Sequence, residues 1–94
     1  MSSISRTQLV KNVTTAGTAV PVSATSLGYA EVTIQAKKGN TGYIYVGDSS
    51  VSDSVYGVAL SAGASVTLQG GDFNDIYIDS DTNGEGVTAL YTEV

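Results

Sequence analysis

The chain has 94 residues, with four Lys and Arg against nine Asp and Glu, a formal net charge of −5, and no Cys, His or Trp. Without Cys or His there is no disulfide, no thiolate nucleophile, no imidazole base and no Cys- or His-type metal site, which sets aside most enzyme classes. The acidic balance, with Lys37–Lys38 as the one local basic cluster, also speaks against nucleic acid as a partner, because a phosphate backbone needs a basic surface.

The length allows one domain with a modest core. Only 14% of residues are charged, against roughly a quarter in an average soluble domain. Ser, Thr, Asn and Gly supply the polarity instead. Val, Thr and six Tyr suit pleated sheets, and eleven Gly mark many turns. No segment has the pattern of an amphipathic helix. The N-terminus lacks the charged-then-apolar pattern of a signal peptide, and no apolar run is long enough for a membrane helix. No membrane association is expected.

In chain order, Thr7 to Val13 is a first strand, closed by a Thr-Thr-Ala-Gly turn. Thr18 to Val22 follows; Pro21 lacks an amide donor, so this run is an edge strand or an extended arm. Ala30 to Ala36 is the clearest strand: Val32, Ile34 and Ala36 alternate with Glu31, Thr33 and Gln35. After the Lys37–Gly42 turn, Tyr43 to Val46 sets Ile44 and Val46 inward and Tyr43 and Tyr45 on the opposite face. A polar loop, Gly47 to Ser54, leads to a fifth strand, Tyr56 to Leu60. Ser65 to Gln69 is the sixth, with Val66 and Leu68 inward, and Gly70 to Asn74 is a loop. Asp75 to Asp79 is the seventh, with Tyr77 outward. Ser80 to Gly86 turns the chain, and Val87 to Thr92 is the last strand.

The spacing predicts an all-β fold, a small antiparallel β-sandwich of about eight strands with a jelly roll as candidate topology. Most joining segments are short enough for hairpins, so the sheets are expected to be mainly antiparallel. VTIQ followed by IYV (Val32 to Val46) is echoed by VTLQ followed by IYI (Val66 to Ile78), which reads either as the small vocabulary that β-strands share or as two stacked similar hairpins. Residues 1–12 are expected to form an N-terminal arm or first edge strand, with Ser2 to Gln8 ordering on a partner, and residues 13–94 a single sandwich domain.

Motifs with chemical content are few. Asp79-Ser-Asp-Thr-Asn-Gly-Glu opens like a calcium loop, with oxygens at alternate positions before a Gly. Leu90 stands where the bidentate Glu belongs, and Asn-Gly is a hairpin turn in its own right. Gly47-Asp-Ser lacks the base that a serine nucleophile needs. Asp72, Asp75, Asp79, Asp81 and Glu85 lie on turns and strand ends, which reads as a solvated acidic rim rather than a glycosidase pair. No cofactor is expected and no catalytic residue is assigned. Tyr43, Tyr45 and Tyr77, on the face opposite the aliphatic core, are the candidate partner-binding residues.

Taken together, VTIQAKKGNTGYIYVGDSSVS, GVALSAGASVTL and DIYIDSDTNGEGVTALY resemble a group of small structural proteins of tailed-bacteriophage virions. The TAGTAVPVSATSL segment matches the usual opening of that group, and Ala64 stands where Pro often precedes its Gly or Glu. The resemblance spans Val13 to Tyr91. It implies a non-enzymatic virion component, foremost a capsid decoration (cement) protein on the outer shell, made in the host cytoplasm. A head-fibre or tail-associated protein is the alternative within that group. The expected partners are the major capsid protein and copies of the chain itself, as a homotrimer. A carbohydrate- or host-surface-binding module using the outward Tyr residues is the alternative from another class.

Overall fold

A computed structural model describes residues 6–93. Eight strands form two four-stranded antiparallel sheets. They are β1 (Arg6–Asn12), β2 (Val20–Pro21), β3 (Gly28–Ala36), β4 (Ile44–Gly47), β5 (Val58–Leu60), β6 (Ser65–Asp72), β7 (Tyr77–Ser80) and β8 (Gly86–Glu93), with a 3-10 turn at Phe73–Asp75. The first sheet runs β1-β8-β3-β6 and the second β2-β7-β4-β5.

That order is a jelly roll. The pairs β1·β8, β2·β7, β3·β6 and β4·β5 are nested about the β4–β5 connection. The chain is therefore one long antiparallel ribbon rolled over itself, with β3·β8 and β4·β7 closing the roll. The sheets are antiparallel as expected, but not through successive hairpins: of consecutive strands only β4 and β5 pair. A seven-residue connection such as 37–43 spans the roughly 10 Å between stacked sheets as readily as it closes a hairpin.

The sequence echo has another meaning too. VTIQ and VTLQ are not the first strands of stacked hairpins but neighbours, with Val32 opposite Leu68 and Ile34 opposite Val66. Their outward Thr33 and Thr67 hydroxyls meet at 3.1 Å. IYV lies on β4, and the last two residues of IYI lie on its partner β7, Val46 opposite Ile78.

The core lies between the sheets. Val32, Ile34, Ala36, Ile44, Ile78 and Val87 are fully buried, and Leu9, Val66 and Leu68 pack on its margin. On β3, the register against β8 shifts between Tyr29 and Glu31. This bulge leaves Ala30 and Glu31 both exposed and turns Tyr29 inward, against the strict alternation that would face it to solvent. Tyr29 then meets Phe73 at 4.7 Å, and Phe73 meets Tyr91 edge-on at 4.9 Å.

At the N-terminus, Arg6, Thr7 and Gln8 pair with Thr92, Tyr91 and Leu90. They belong to an edge strand rather than to an arm that orders on a partner. The rest of the expected arm lies outside the described residues.

Candidate functional site

The outward positions of the second sheet are not simply wetted. The β4–β5 connection, 48–57, folds back over that face through two tight turns. In the first, the Val51 amide donates to the Asp48 carbonyl at 3.0 Å; in the second, the Ser52 amide donates to the Val55 carbonyl at 2.7 Å. The Asp48 carboxylate accepts the Ser50 amide at 2.9 Å, and the Ser52 hydroxyl accepts the Val55 amide at 3.1 Å. These Asx- and Ser-type turns are local chemistry written in the sequence DSS and SDSV. Val51 is buried over Gly47, and Tyr56 comes to rest on Tyr45.

A three-ring ladder results. The Tyr45 ring centroid lies 5.1 Å from that of Tyr56 and 6.4 Å from that of Tyr43, with interplanar angles of 40° and 36°. Tyr45 is only 8% exposed, whereas Tyr43 and Tyr56 are each 50% exposed and the adjacent Val55 is 58% exposed. The Tyr45 hydroxyl donates to the Asp81 carboxylate at 2.9 Å. Burial, then that hydrogen bond, then the charges of Asp81 and Asp53 push its pKa up to about 12. The middle ring is thus fixed and neutral, while the outer two present half their surface to solvent.

The same Asp81 carboxylate also accepts the Tyr43 amide at 3.0 Å, and the Tyr43 carbonyl accepts the Asp81 amide at 3.2 Å. Its neighbours behave alike. Asp79, 1% exposed, accepts the amides of Gly17 at 2.9 Å and Ser80 at 2.8 Å. Asn83 accepts the Ala16 amide at 2.7 Å. Glu85 accepts the Thr41 and Gly42 amides at 2.8 and 3.1 Å, and the Thr41 hydroxyl at 3.0 Å. The oxygens that matched the start of a calcium loop are therefore given to protein donors. They tie the β1–β2 and β3–β4 connections to the β7–β8 turn. Among the described residues, no three acidic side chains are placed to share a metal ion. The expected solvated acidic rim is corrected to the same extent: Asp79 is buried, and Glu85 and Asp72 act as loop staples. Asp72 stands at the other end of the sandwich. There it accepts the Ser26 hydroxyl, the Leu27 amide at 2.9 Å and the Asn74 amide at 2.8 Å.

These staples make the fold acid-sensitive. The Thr41 and Gly42 amides hold Glu85 below the ordinary value of 4.5, and the Ser26 hydroxyl with the Leu27 and Asn74 amides holds Asp72 below 3.8. A carboxylate whose pKa is depressed on folding contributes stability that is fully present above its unfolded pKa and is lost as pH falls through the folded one. The melting temperature is expected to be flat down to about pH 5 and to drop below it. Glu85→Gln lowers it at neutral pH and flattens the acid limb, read by circular dichroism melts from neutral to strongly acidic pH. An unchanged acid limb in Glu85→Gln would show that Glu85 does not staple the loop.

Of the tyrosines singled out from sequence, Tyr43 and Tyr45 come together. Tyr77 lies on the same outer face but is partly buried, one row away between Pro21 and Gly47. Tyr45 faces outward as alternation requires, yet loop 48–57 covers it. Tyr56 and Val55 were missed. Tyr56 reads as the start of a strand, and its place on Tyr45 comes from the fold-back of the loop.

A second exposed apolar pair, Val10 (57%) and Leu90 (51%), lies on the outer face of the other sheet. The Lys37–Lys38 turn lines an open groove of about 630 Å³ with Gln35, Asn40, Glu85 and Thr88. Comparison of the chain with protein-family models, with curated proteins and with solved structures returns no match.

Proposed function

We propose that the chain is a non-enzymatic structural protein of a tailed bacteriophage. In this reading it is a capsid decoration protein that binds the major capsid protein on the outer shell and holds neighbouring subunits together. The observation that carries this is the form of the apolar surface around Tyr45. Tyr43 and Tyr56 stand on a ring locked by Asp81, with exposed Val55 next to Tyr56 in the chain, so an aromatic surface is presented rigidly and with little ordering cost. Of the acidic side chains that would serve chemistry, Asp72, Asp79, Asp81 and Glu85 are engaged in holding loops. The sequence resemblance supports the same reading. Individually weak contacts suffice on a particle, because many copies act together.

Jelly rolls serve in both capsid and lectin domains. The two half-exposed rings flanking a fixed third also favour a second reading, a carbohydrate-binding module using the same surface.

The test uses purified particles of the phage that encodes the chain. Mass spectrometry is expected to find it in stoichiometric proportion to the capsid protein, and particles lacking it are expected to lose heat resistance. Added wild-type protein restores that resistance, while Tyr43→Ala with Tyr56→Ala weakens binding by about tenfold or more. Absence from the capsid fraction overturns the capsid reading. A glycan-array signal that disappears in the same double variant moves the function to sugar binding.

A further inference from the structure

We infer that the outer face of the first sheet is a self-complementary surface through which two copies of the chain pair about a twofold axis. The inference goes beyond the proposed role and does not depend on it, since it concerns the opposite sheet from the tyrosine ladder.

The face is laid out by the strand registers. One row runs Arg6, Thr92, Glu31, Gln69 across β1, β8, β3 and β6. The next runs Gln8, Leu90, Thr33, Thr67, and the third Val10, Thr88, Gln35, Ser65. The second and third rows are entirely uncharged, in a chain of net charge −5. For a second copy, which carries the same charge, this is a surface that can be approached without like-charge repulsion.

Two further features match each other under one operation. Leu90 and Val10 project from β8 and β1, more than half exposed. Beside them lies a hollow of about 340 Å³ bordered by Thr33, Gln35, Ser65 and Thr88. The charges of the first row stand on opposite sides of β8, Arg6 on β1 and Glu31 on β3. A twofold axis running along β8, with two copies face to face, exchanges β1 and β3. It sets Leu90 against Leu90 of the second copy, and Val10 over Gln35 at the hollow. It also sets Arg6 opposite Glu31, with the last two contacts each made twice. In a twofold interface every contact must be reciprocal in this way. The face thus points to a pair in place of the trimer expected from the sequence.

The footprint sets the strength. Three strands by seven residues cover roughly 15 by 23 Å, which places the interface below the size of stable specific complexes, among weak transient ones, and the affinity in the micromolar range or weaker.

Sedimentation equilibrium on the isolated protein, from about 10 μM to about 1 mM, tests this. The wild type is expected to pass from monomer to dimer. Leu90→Glu, at an exposed position, is expected to weaken pairing by about tenfold or more with an unchanged melting curve. Arg6→Glu and Glu31→Arg are each expected to weaken it about three- to tenfold, and the double variant to recover to within about twofold of wild type. A monomer throughout, a trimer, pairing indifferent to Leu90→Glu, or a double variant that fails to recover each overturns the inference. Because no particle is present in this experiment, none of these results bears on capsid binding.

Discussion

Replacing Phe73 by Ala is expected to cost about 3–5 kcal/mol, a large part of the roughly 5–14 kcal/mol that a domain of this size has in total. Phe73 is fully buried in the 3-10 turn between β6 and β7. Its ring is held between Tyr29 from β3 and Tyr91 from β8, so three rings from separate parts of the chain close one end of the sandwich. The backbone is fixed as well: the Phe73 amide donates to the Leu27 carbonyl at 2.9 Å, and its carbonyl accepts the Ser23 amide at 3.3 Å. The neighbours cannot collapse into the space left behind, because Tyr29 is set by the β3 bulge and Tyr91 by strands on both sides. Phe73→Leu retains most of the volume and loses the ring-edge contacts, about 1–1.5 kcal/mol. Urea denaturation reads both, as a lowered midpoint at constant slope. A loss under about 1 kcal/mol for Phe73→Ala would mean that the ring is not part of the core.

Phe73 also shows where sequence reading stopped. The strands were legible because alternation is local. Val32, Ile34 and Ala36 had to share a face, and all three are fully buried. Phe73 has no periodic context, since it sits in a single turn between strands and reads as loop. Tyr29 is the opposite case: alternation assigns it to solvent, and one bulged residue reverses that assignment. The jelly-roll order was open for a related reason. Pairing of β1 with β8 is decided by the closure of the whole ribbon, and the length of each connection suits a hairpin equally well. For the candidate site, the outward direction of Tyr45 was legible from Ile44 and Val46 beside it. Its burial was not, because that depends on the fold-back of loop 48–57. Asp79 is a related case: its spacing with Asp81 and Asn83 matched the opening of a calcium loop while Asn83–Gly84 read as a plain turn, and neither reading holds the amide donors that the fold brings from distant loops.

Gly86→Ala is expected to be the most damaging single-methyl change in the chain, at about 3 kcal/mol or somewhat more. Gly86 is buried at the start of β8, opposite Asn12. An added Cβ would lie 2.0 Å from the Lys11 carbonyl oxygen and 2.6 Å from the Asn12 Cα, both of them backbone atoms. Relief requires the main chain to move, and both sides resist. The Gly86 carbonyl is held by the Lys37 amide at 3.0 Å and the Asn40 side chain at 2.9 Å. Just beyond, the Val13 amide donates to the Glu85 carbonyl at 2.8 Å, and the Gly84 amide to the Val13 carbonyl at 2.7 Å. The change therefore pries β1 from β8 at the end where the loop staples converge. Amide exchange is expected to speed up first at Val13 and Gly84, before the strands further along. Gly39→Ala is the control: nothing lies within 4 Å of its added Cβ, and its effect should stay within about 0.5 kcal/mol. Equal melting temperatures for the two variants would show that β1 is not clamped at Gly86.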